Sequence, residues 1–394
     1  MRMESSRSLP DLASFAGDRF SATYLVHGSE PDAHAAAELI AIDQTVEAAD
    51  EAVTPAIREQ IIGRIERVAL APDGGYHITV SYPVVLFGRD CTQLLNVLFG
   101  TSALRGRVRL LNFDPPPPSV DGWAGPRFGL RGLRERLGVR DRPLVCAVLK
   151  PLGRSPQELG ELAERFALGG VDLVKDDQAL ADHPFCPFEE RVARCAERIA
   201  AAAARRGRPC LYAPHVSGSA TAIRSRARFA KRAGAGALLI APGLTGFDAI
   251  RALAADDEIA LPLLSHPALL SLHAQGSTSG MAPVAQFGLL PRLAGADASI
   301  YPSYGTDYGM VRLDCAAVAE ACRAPWGSLA AIFPTAAGRM GLAQIPELCE
   351  LYGRDVLFIL GSAILSYPKG VRAACEEFLR AVTERSACRS SSTS

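Results

Sequence analysis

Lysine is nearly missing from this chain of 394 residues: Lys150, Lys175, Lys231 and Lys369 stand alone among 42 basic side chains, and the other 38 are arginine. Surface charge is therefore supplied by arginine. Each lysine becomes a candidate for work that a permanently protonated guanidinium cannot do, such as losing a proton, forming a Schiff base or taking up CO2 as a carbamate. An excess of one charge is also missing, since 42 acidic side chains balance the 42 basic ones. A nucleic-acid partner would require a basic excess, and an anionic membrane surface a basic stripe. Long apolar runs are absent too. Those present, such as Ala237–Ile240 and Val356–Leu360, are of strand length, against about 18 residues for a membrane span. Met1 to Pro10 holds no apolar signal core, so secretion is not expected. Ten cysteines are spread from Cys91 to Cys388 without a CxxC pair. They read as small core hydrophobes in a reducing compartment, the cytoplasm, rather than as disulfides or a zinc site.

What is present is a large apolar fraction, 48%, beside 21% charged residues, enough to bury a substantial core. Residues 1–125 mix strand-like stretches (Phe20 to Val26, Tyr76 to Tyr82) with helical ones (Ala33 to Ile42, Thr92 to Leu98), which predicts an α+β domain of ferredoxin-like type. Four consecutive prolines within Asp114 to Ser119 can continue neither a helix nor a central strand and mark a linker. From Leu144 a new rhythm begins, with apolar runs at Leu144–Leu149, Val171–Val174, Cys210–Ala213, Ala237–Ile240, Leu261–Leu264, Ala298–Tyr301, Ala330–Phe333 and Val356–Leu360. Amphipathic segments lie between them, among them Pro156–Leu168, Phe188–Ala204, Ala222–Arg232 and Ala343–Leu351. Eight buried strands alternating with helices predict an α/β architecture, a C-terminal (β/α)8 TIM barrel over 126–385. An open doubly wound sheet is the alternative, but no GxGxxG opens a helix. The stretch 386–394 is expected to be a disordered tail.

Barrel chemistry sits where strands end at their C-terminal side. Those ends here carry Lys150-Pro151, Lys175-Asp176-Asp177-Gln178, Pro214-His215, Ser265-His266-Pro267, Pro302-Ser303, Thr335 through Arg339, and Gly361-Ser362. Two of four lysines thus fall on neighbouring strand ends. Lys175 beside two aspartates could be a plain ion pair, but Lys150, His215 and His266 on other strand ends favour a shared pocket. His183 reads as a surface histidine. Gly338, Arg339, Gly361 and Ser362 suit a phosphate, through exposed backbone N–H groups and a charged fork.

The stretch Gly169-Gly170-Val171-Asp172-Leu173-Val174-Lys175-Asp176-Asp177, with Lys150-Pro151 one strand earlier and Gly361 near the end, resembles the large subunit of RuBisCO. The resemblance implies Mg2+ held by Asp177 and a CO2-derived carbamate on Lys175, with Gln178 at the third ligand position. It implies proton transfer by Lys150, an active-site histidine at His266, and one phosphate site around Gly338, Arg339, Gly361 and Ser362. Asp43 and Thr45 of the IDQTVE segment would reach into a partner subunit's barrel in a homodimer with a shared active site, Asp43 standing where a glutamate is usual. Substrate contacts are expected at His215 and Ser303 as well.

Departures from that pattern narrow the activity. The third metal ligand is an amide, Gln178; the arginine that holds a second phosphate is Pro267; a serine before the strand-7 glycine is Ala337; and no lysine lies between Lys231 and Lys369 to close over bound CO2. Without that cation the carboxylation transition state lacks its electrostatic support. The chain is similar to form IV, the RuBisCO-like proteins, which implies an isomerase or enolase rather than a carboxylase. One phosphate site kept and the other stripped implies a sugar monophosphate with an apolar or neutral far end, such as 5-methylthioribulose-1-phosphate in methionine salvage. Enolisation of the diketo methylthiopentyl phosphate or decarboxylation of a sugar-acid phosphate is an alternative within the family. Outside it stand a metal-free Schiff-base aldolase using Lys150 or Lys175, disfavoured because two adjacent carboxylates should keep Lys175 charged, and a non-catalytic metabolite-binding barrel.

Overall fold

The computed structural model describes residues 17–72, 74–115, 123–270, 278–305, 310–338 and 341–390. These fall into two units: one comprises the described residues up to 115 together with 278–282, and the other residues 123–270 and 283–390.

The first unit follows the order β1 (Arg19–Val26), α1 (Glu30–Asp43), β2 (Arg64–Leu70), β3 (Tyr76–Pro83), α2 (Cys91–Phe99) and β4 (Val108–Phe113). Its sheet runs β4-β1-β3-β2 with antiparallel pairing, the ferredoxin-like βαββαβ arrangement. α1 starts where Ser29 and Asp32 cap each other reciprocally, and α2 starts on the Asp90 carboxylate, which accepts from Thr92 and Gln93 N–H. A two-residue strand, Gly280–Met281, adds a parallel edge to β4. The sequence reading had not anticipated β2, because Arg64-Ile65-Glu66-Arg67 is an exposed edge whose charges dilute the strand pattern. It also had not anticipated β4, whose apolar run abuts the proline stretch.

The second unit is a ring of parallel strands: β5 (Leu144–Leu149), β6 (Leu173–Asp176), β7 (Leu211–Ala213), β8 (Leu238–Ile240), β9 (Leu263–Ser265), β11 (Ala298–Pro302), β12 (Phe333–Ala337) and β13 (Leu357–Leu360), Gly280–Met281 being β10. Ladders run β7-β6-β5-β13-β12-β11-β9-β8, and a parallel bridge between His215 and Leu239 joins the two ends. The expected barrel is therefore present, with its eight strands in their predicted sequence.

Two strands sit further along the chain than their apolar runs suggest. β12 begins at Phe333, where Ala330–Phe333 was expected, because the small residues Thr335-Ala336-Ala337 carry the ladder without registering as an apolar run. β6 likewise takes in Lys175 and Asp176. At the other terminus, the helix Gly370–Ser390 corrects the expectation of a disordered tail from 386. Ser386-Ala387-Cys388-Arg389 contains neither Gly nor Pro to stop it, and 391–394 lie outside the described residues.

The barrel interior is filled by Leu144, Cys146, Val148, Leu173, Leu239, Leu264, Ile300, Phe333, Leu357 and Ile359. The helix Gly129–Leu137 contributes Leu133 and Leu137 to the same cluster. Two buried aspartates fasten strand starts. Asp172 forms a paired-fork bond with Arg142, both contacts 2.8 Å, and accepts from Val145 N–H. Asp297 accepts from the N–H groups of Phe128, Gly129 and Leu263 at 2.6–2.8 Å. Burial raises the Asp297 carboxyl to about 6. Such anchors fix the scaffold at the end away from the strand C-termini.

Candidate active site

The C-terminal ends of the strands surround a cavity of about 410 Å3 in the second unit. Lys150, Lys175, Asp177, Gln178, His266, Gly338, Gly361 and Ser362, all expected in the site, line it together with Pro267, Ala268, Leu269 and Ala337. Arg339 lies outside the described residues. His215 and Ser303 are 2% and 1% exposed and stand behind the wall; the Ser303 hydroxyl is 3.3 Å from the Tyr352 hydroxyl. Asp43 and Thr45 belong to the first unit and line a smaller cavity of about 210 Å3 there. Asp43 is ion-paired with Arg105, and the Thr45 hydroxyl donates to the Ala41 carbonyl at 2.7 Å.

The two aspartates after Lys175 have opposite fates. Asp176 is fully buried and saturated: it takes the Arg191 guanidinium at 3.2 Å, the Tyr212 hydroxyl at 2.7 Å and the His215 N–H at 3.0 Å. Asp177 faces the cavity. Its Oδ1 accepts from Ala179 N–H at 3.1 Å, and its Oδ2 lies 2.8 Å from Lys150 Nζ, an ion pair outside hydrogen-bond alignment. One carboxylate thus builds the frame and the other remains open to a ligand.

Lys175 is 2% exposed and donates to the Asp176 carbonyl at 3.0 Å. Burial lowers its pKa, against partial support from Asp177 and Asp176. Burial therefore opposes the two carboxylates expected to keep it charged, one of which, Asp176, is shared with Arg191. A buried amine with a lowered pKa is the form that reacts with CO2 or with a carbonyl.

His266 Nδ1 accepts from Ala268 N–H at 3.1 Å, which leaves the ring proton of the neutral form on Nε2. Burial and the nearby Lys175 cation hold its pKa well below the usual histidine range. His215, with no well-formed bond at either ring nitrogen, is pushed down to about 4 by burial. Folding therefore excludes protons that the unfolded chain accepts near 6.5, so stability falls as pH drops from about 6.5 toward 4. His215→Leu removes a buried ring without removing a well-formed bond. It should leave stability at pH 7 nearly unchanged and recover about 2 kcal/mol at pH 4.5, read from urea midpoints at the two pH values. An unchanged pH slope would show that His215 is not the group concerned.

At another part of the cavity Gly338 has φ +110°, a conformation that L side chains rarely adopt. A Cβ built on Gly361 meets nothing within 4 Å, and the short 3-10 turn Ser362–Ile364 starts beside it. This wall is backbone-rich and admits close approach of an anion.

Among the described residues no three His, Cys, Asp or Glu side chains gather at one point that could hold a metal. The unmodified chain offers a divalent cation one carboxylate, Asp177, with the Gln178 amide beside it. A carbamate on Lys175 would add the second anionic oxygen, so the residues fit Mg2+ in that form.

Sequence reasoning had not found the bonds that retire Asp176, since Arg191 and Tyr212 lie 15 and 36 residues downstream with no local signal. It had not singled out Leu269 either.

Residues 129–390 match the model of the ribulose bisphosphate carboxylase large chain, catalytic domain. The chain is 37% identical over 350 residues to a 5-methylthioribulose-1-phosphate isomerase of Rhodospirillum rubrum, covering 88% of this chain and 92% of that one. It is 32% identical over 361 residues to a 2,3-diketo-5-methylthiopentyl-1-phosphate enolase of Bacillus pumilus, covering 89% and 88%. The crystal structure of a Rubisco-like protein from Rhodopseudomonas palustris superposes with a TM-score of 0.85 at 34% identity, covering 94% of this chain and 99% of that one. With the barrel, the lysine-aspartate strand end and these matches in agreement, the chain belongs to the RuBisCO large-subunit family, as a RuBisCO-like protein.

Proposed function

We propose that this protein is an isomerase of 5-methylthioribulose-1-phosphate type, acting on a ketose monophosphate in methionine salvage without fixing CO2. The observation that carries the reading is the bipolar cavity. Lys150, Lys175, Asp177 and His266 share its lining with the glycines Gly338 and Gly361, which follow β12 and β13, and with Pro267, Ala268 and Leu269 after β9, where the family resemblance puts a phosphate-holding arginine at the position of Pro267. Ser362 and Arg339 complete the phosphate site in this reading.

Lys175 as its carbamate, Asp177 and Gln178 would hold Mg2+, which when bound supplies Lewis-acid polarisation of the substrate carbonyl. Lys150 is the proton carrier at the carbon next to that carbonyl, and its partner Asp177 keeps the Nζ directed into the cavity. His266, with its proton on Nε2, donates to the oxygen on which negative charge develops. His215 and Ser303 support the substrate pocket from behind.

The 2,3-diketo-5-methylthiopentyl-1-phosphate enolase reaction is the second reading. It needs the same proton transfer beside a carbonyl, and a relative of that name is 32% identical.

Support for a homodimer comes from the segments that follow barrel strands. Leu152, Phe185 and Val311 outside helices, and Leu244 and Leu313 in the helices Pro242–Thr245 and Arg312–Arg323, are all exposed there, and apolar side chains of this kind are suited to burial against a second copy. In that assembly Asp43 and Thr45 would complete the site. Nine cysteines, from Cys91 to Cys375, are buried thiols, which accords with a reducing, cytoplasmic setting. No described helix is long and apolar enough to cross a membrane.

Proton NMR of 5-methylthioribulose-1-phosphate in D2O with the protein, Mg2+ and bicarbonate tests the reading. Deuterium uptake or a new ketose phosphate, both lost with EDTA, is the expected result. Turnover that survives EDTA, with a borohydride-trapped adduct on a lysine, would replace it with the Schiff-base mechanism. Absence of exchange and of product from either methylthio substrate would overturn both readings.

A further inference from the structure

Leu269 adopts φ +68°, in the left-handed region where a branched side chain is unusual. It is the third residue of a turn closed by Leu270 N–H donating to the Pro267 carbonyl at 3.0 Å. With positive φ, that position is normally given to glycine or asparagine. Core packing does not explain the choice, because Leu269 is 53% exposed. It does line the cavity, beside Pro267 and Ala268.

The surroundings hold the turn in place from three sides. Ala268 N–H is bonded to His266 Nδ1. The Leu270 carbonyl accepts from Gln286 Nε2 at 2.6 Å, and Gln286 is 1% exposed. The third support is a close approach: a Cβ on Gly243 would lie 2.3 Å from the Ala268 oxygen and 3.0 Å from the Leu270 nitrogen, so only glycine lets the short helix Pro242–Thr245 after β8 reach this backbone. An unfavourable conformation fixed by its surroundings and directed at a cavity is the usual mark of a ligand-facing residue.

We propose that Leu269, backed by Pro267, is the specificity wall that packs on the apolar, thioether-bearing end of a sugar monophosphate and excludes analogues ending in a hydroxyl or a second phosphate. The proposal rests on the methylthio-sugar reading above and names the residue that selects for it. Leu269 presents branched carbon to the cavity beside Pro267, which stands at the position of the phosphate-holding arginine. An apolar surface there gains from covering a methylthio group and gains nothing from covering a hydroxyl, which would lose its water. His266, three residues before Leu269, is tied to the same turn because its Nδ1 accepts from Ala268 N–H.

The test uses two inert sugar alcohols, 5-methylthioribitol 1-phosphate and ribitol 1-phosphate, titrated calorimetrically into the full-length protein. Wild type is expected to bind the thioether at least about tenfold more tightly. Leu269→Gly and Leu269→Asn both accept positive φ, so both should keep or raise Tm. Each should weaken the thioether ligand about tenfold while leaving ribitol 1-phosphate within about twofold. With the reactive methylthio substrate, KM should rise by a similar factor and kcat should change little. Equal weakening of both ligands, or a wild type that shows no preference, would overturn the proposal. Binding preference without turnover would keep the wall and discard the reaction, so the two readings fail separately.

Discussion

Lys175→Ala is expected to lower turnover by at least about 10^3-fold while the barrel stays folded, since the side chain makes one hydrogen bond, to the Asp176 carbonyl. The size of the effect follows from what the amine can become. Burial lowers the Lys175 pKa, so a neutral Nζ is accessible to CO2; in the proposed carbamate the N–C bond forms as one C=O bond of CO2 opens to an oxyanion, one proton leaves to solvent, and a neutral amine becomes an anion beside Asp177. Alanine deletes that anion, and Lys175→Arg, permanently charged, should be as inactive. In 13C-bicarbonate, wild type with Mg2+ should give a carbamate resonance in carbon NMR that both variants lack. A variant that retains its rate would end the carbamate role. Loss of rate in variants when wild type itself shows no carbamate resonance would point instead to Lys175 acting as an amine.

The opposite kind of effect is expected one residue later. Asp176→Ala should destabilise the protein by about 3–5 kcal/mol, because Arg191 would be left charged and 0% exposed with no counter-ion. The Tyr212 hydroxyl and the His215 N–H would lose their acceptor in the same step. Asp177→Ala should cost about 1 kcal/mol or less, since its partner Lys150 is 36% exposed and can be hydrated, yet it should lose activity. Urea unfolding of the two single variants, side by side, reads the contrast. Equal stability losses would mean that the saturated environment of Asp176 does not carry the frame.

That contrast also marks how far the sequence could be read. The strand rhythm from Leu144 onward specified the barrel because buried parallel strands are apolar on both faces and stand out as runs. It brought Lys150, Lys175, Asp177, Gln178, His266, Gly338, Gly361 and Ser362 to strand ends that prove to share one cavity. It could not divide labour between Asp176 and Asp177, identical in type and adjacent. Their roles depend on Arg191 in the following helix and Tyr212 on β7, a tertiary matter. It also counted the carboxylates beside Lys175 without the burial that opposes them. Leu269 was illegible for a different reason: leucine signals burial or helix, and nothing local announces a left-handed turn held by Gly243, Gln286 and His266.

The two-residue strand Gly280–Met281 has a consequence for biosynthesis. It forms the outer edge of a sheet whose other strands end at Phe113, so that sheet is completed only after roughly 170 further residues have left the ribosome. At about 5–20 residues per second the β4 edge waits on the order of ten seconds or more with its N–H and C=O groups unmatched, a template for pairing with a neighbouring nascent chain. A fragment ending near 115 would keep that edge permanently. The first unit is thus one body in space but two pieces in time, and its solubility depends on chain that is made long after its helices have closed.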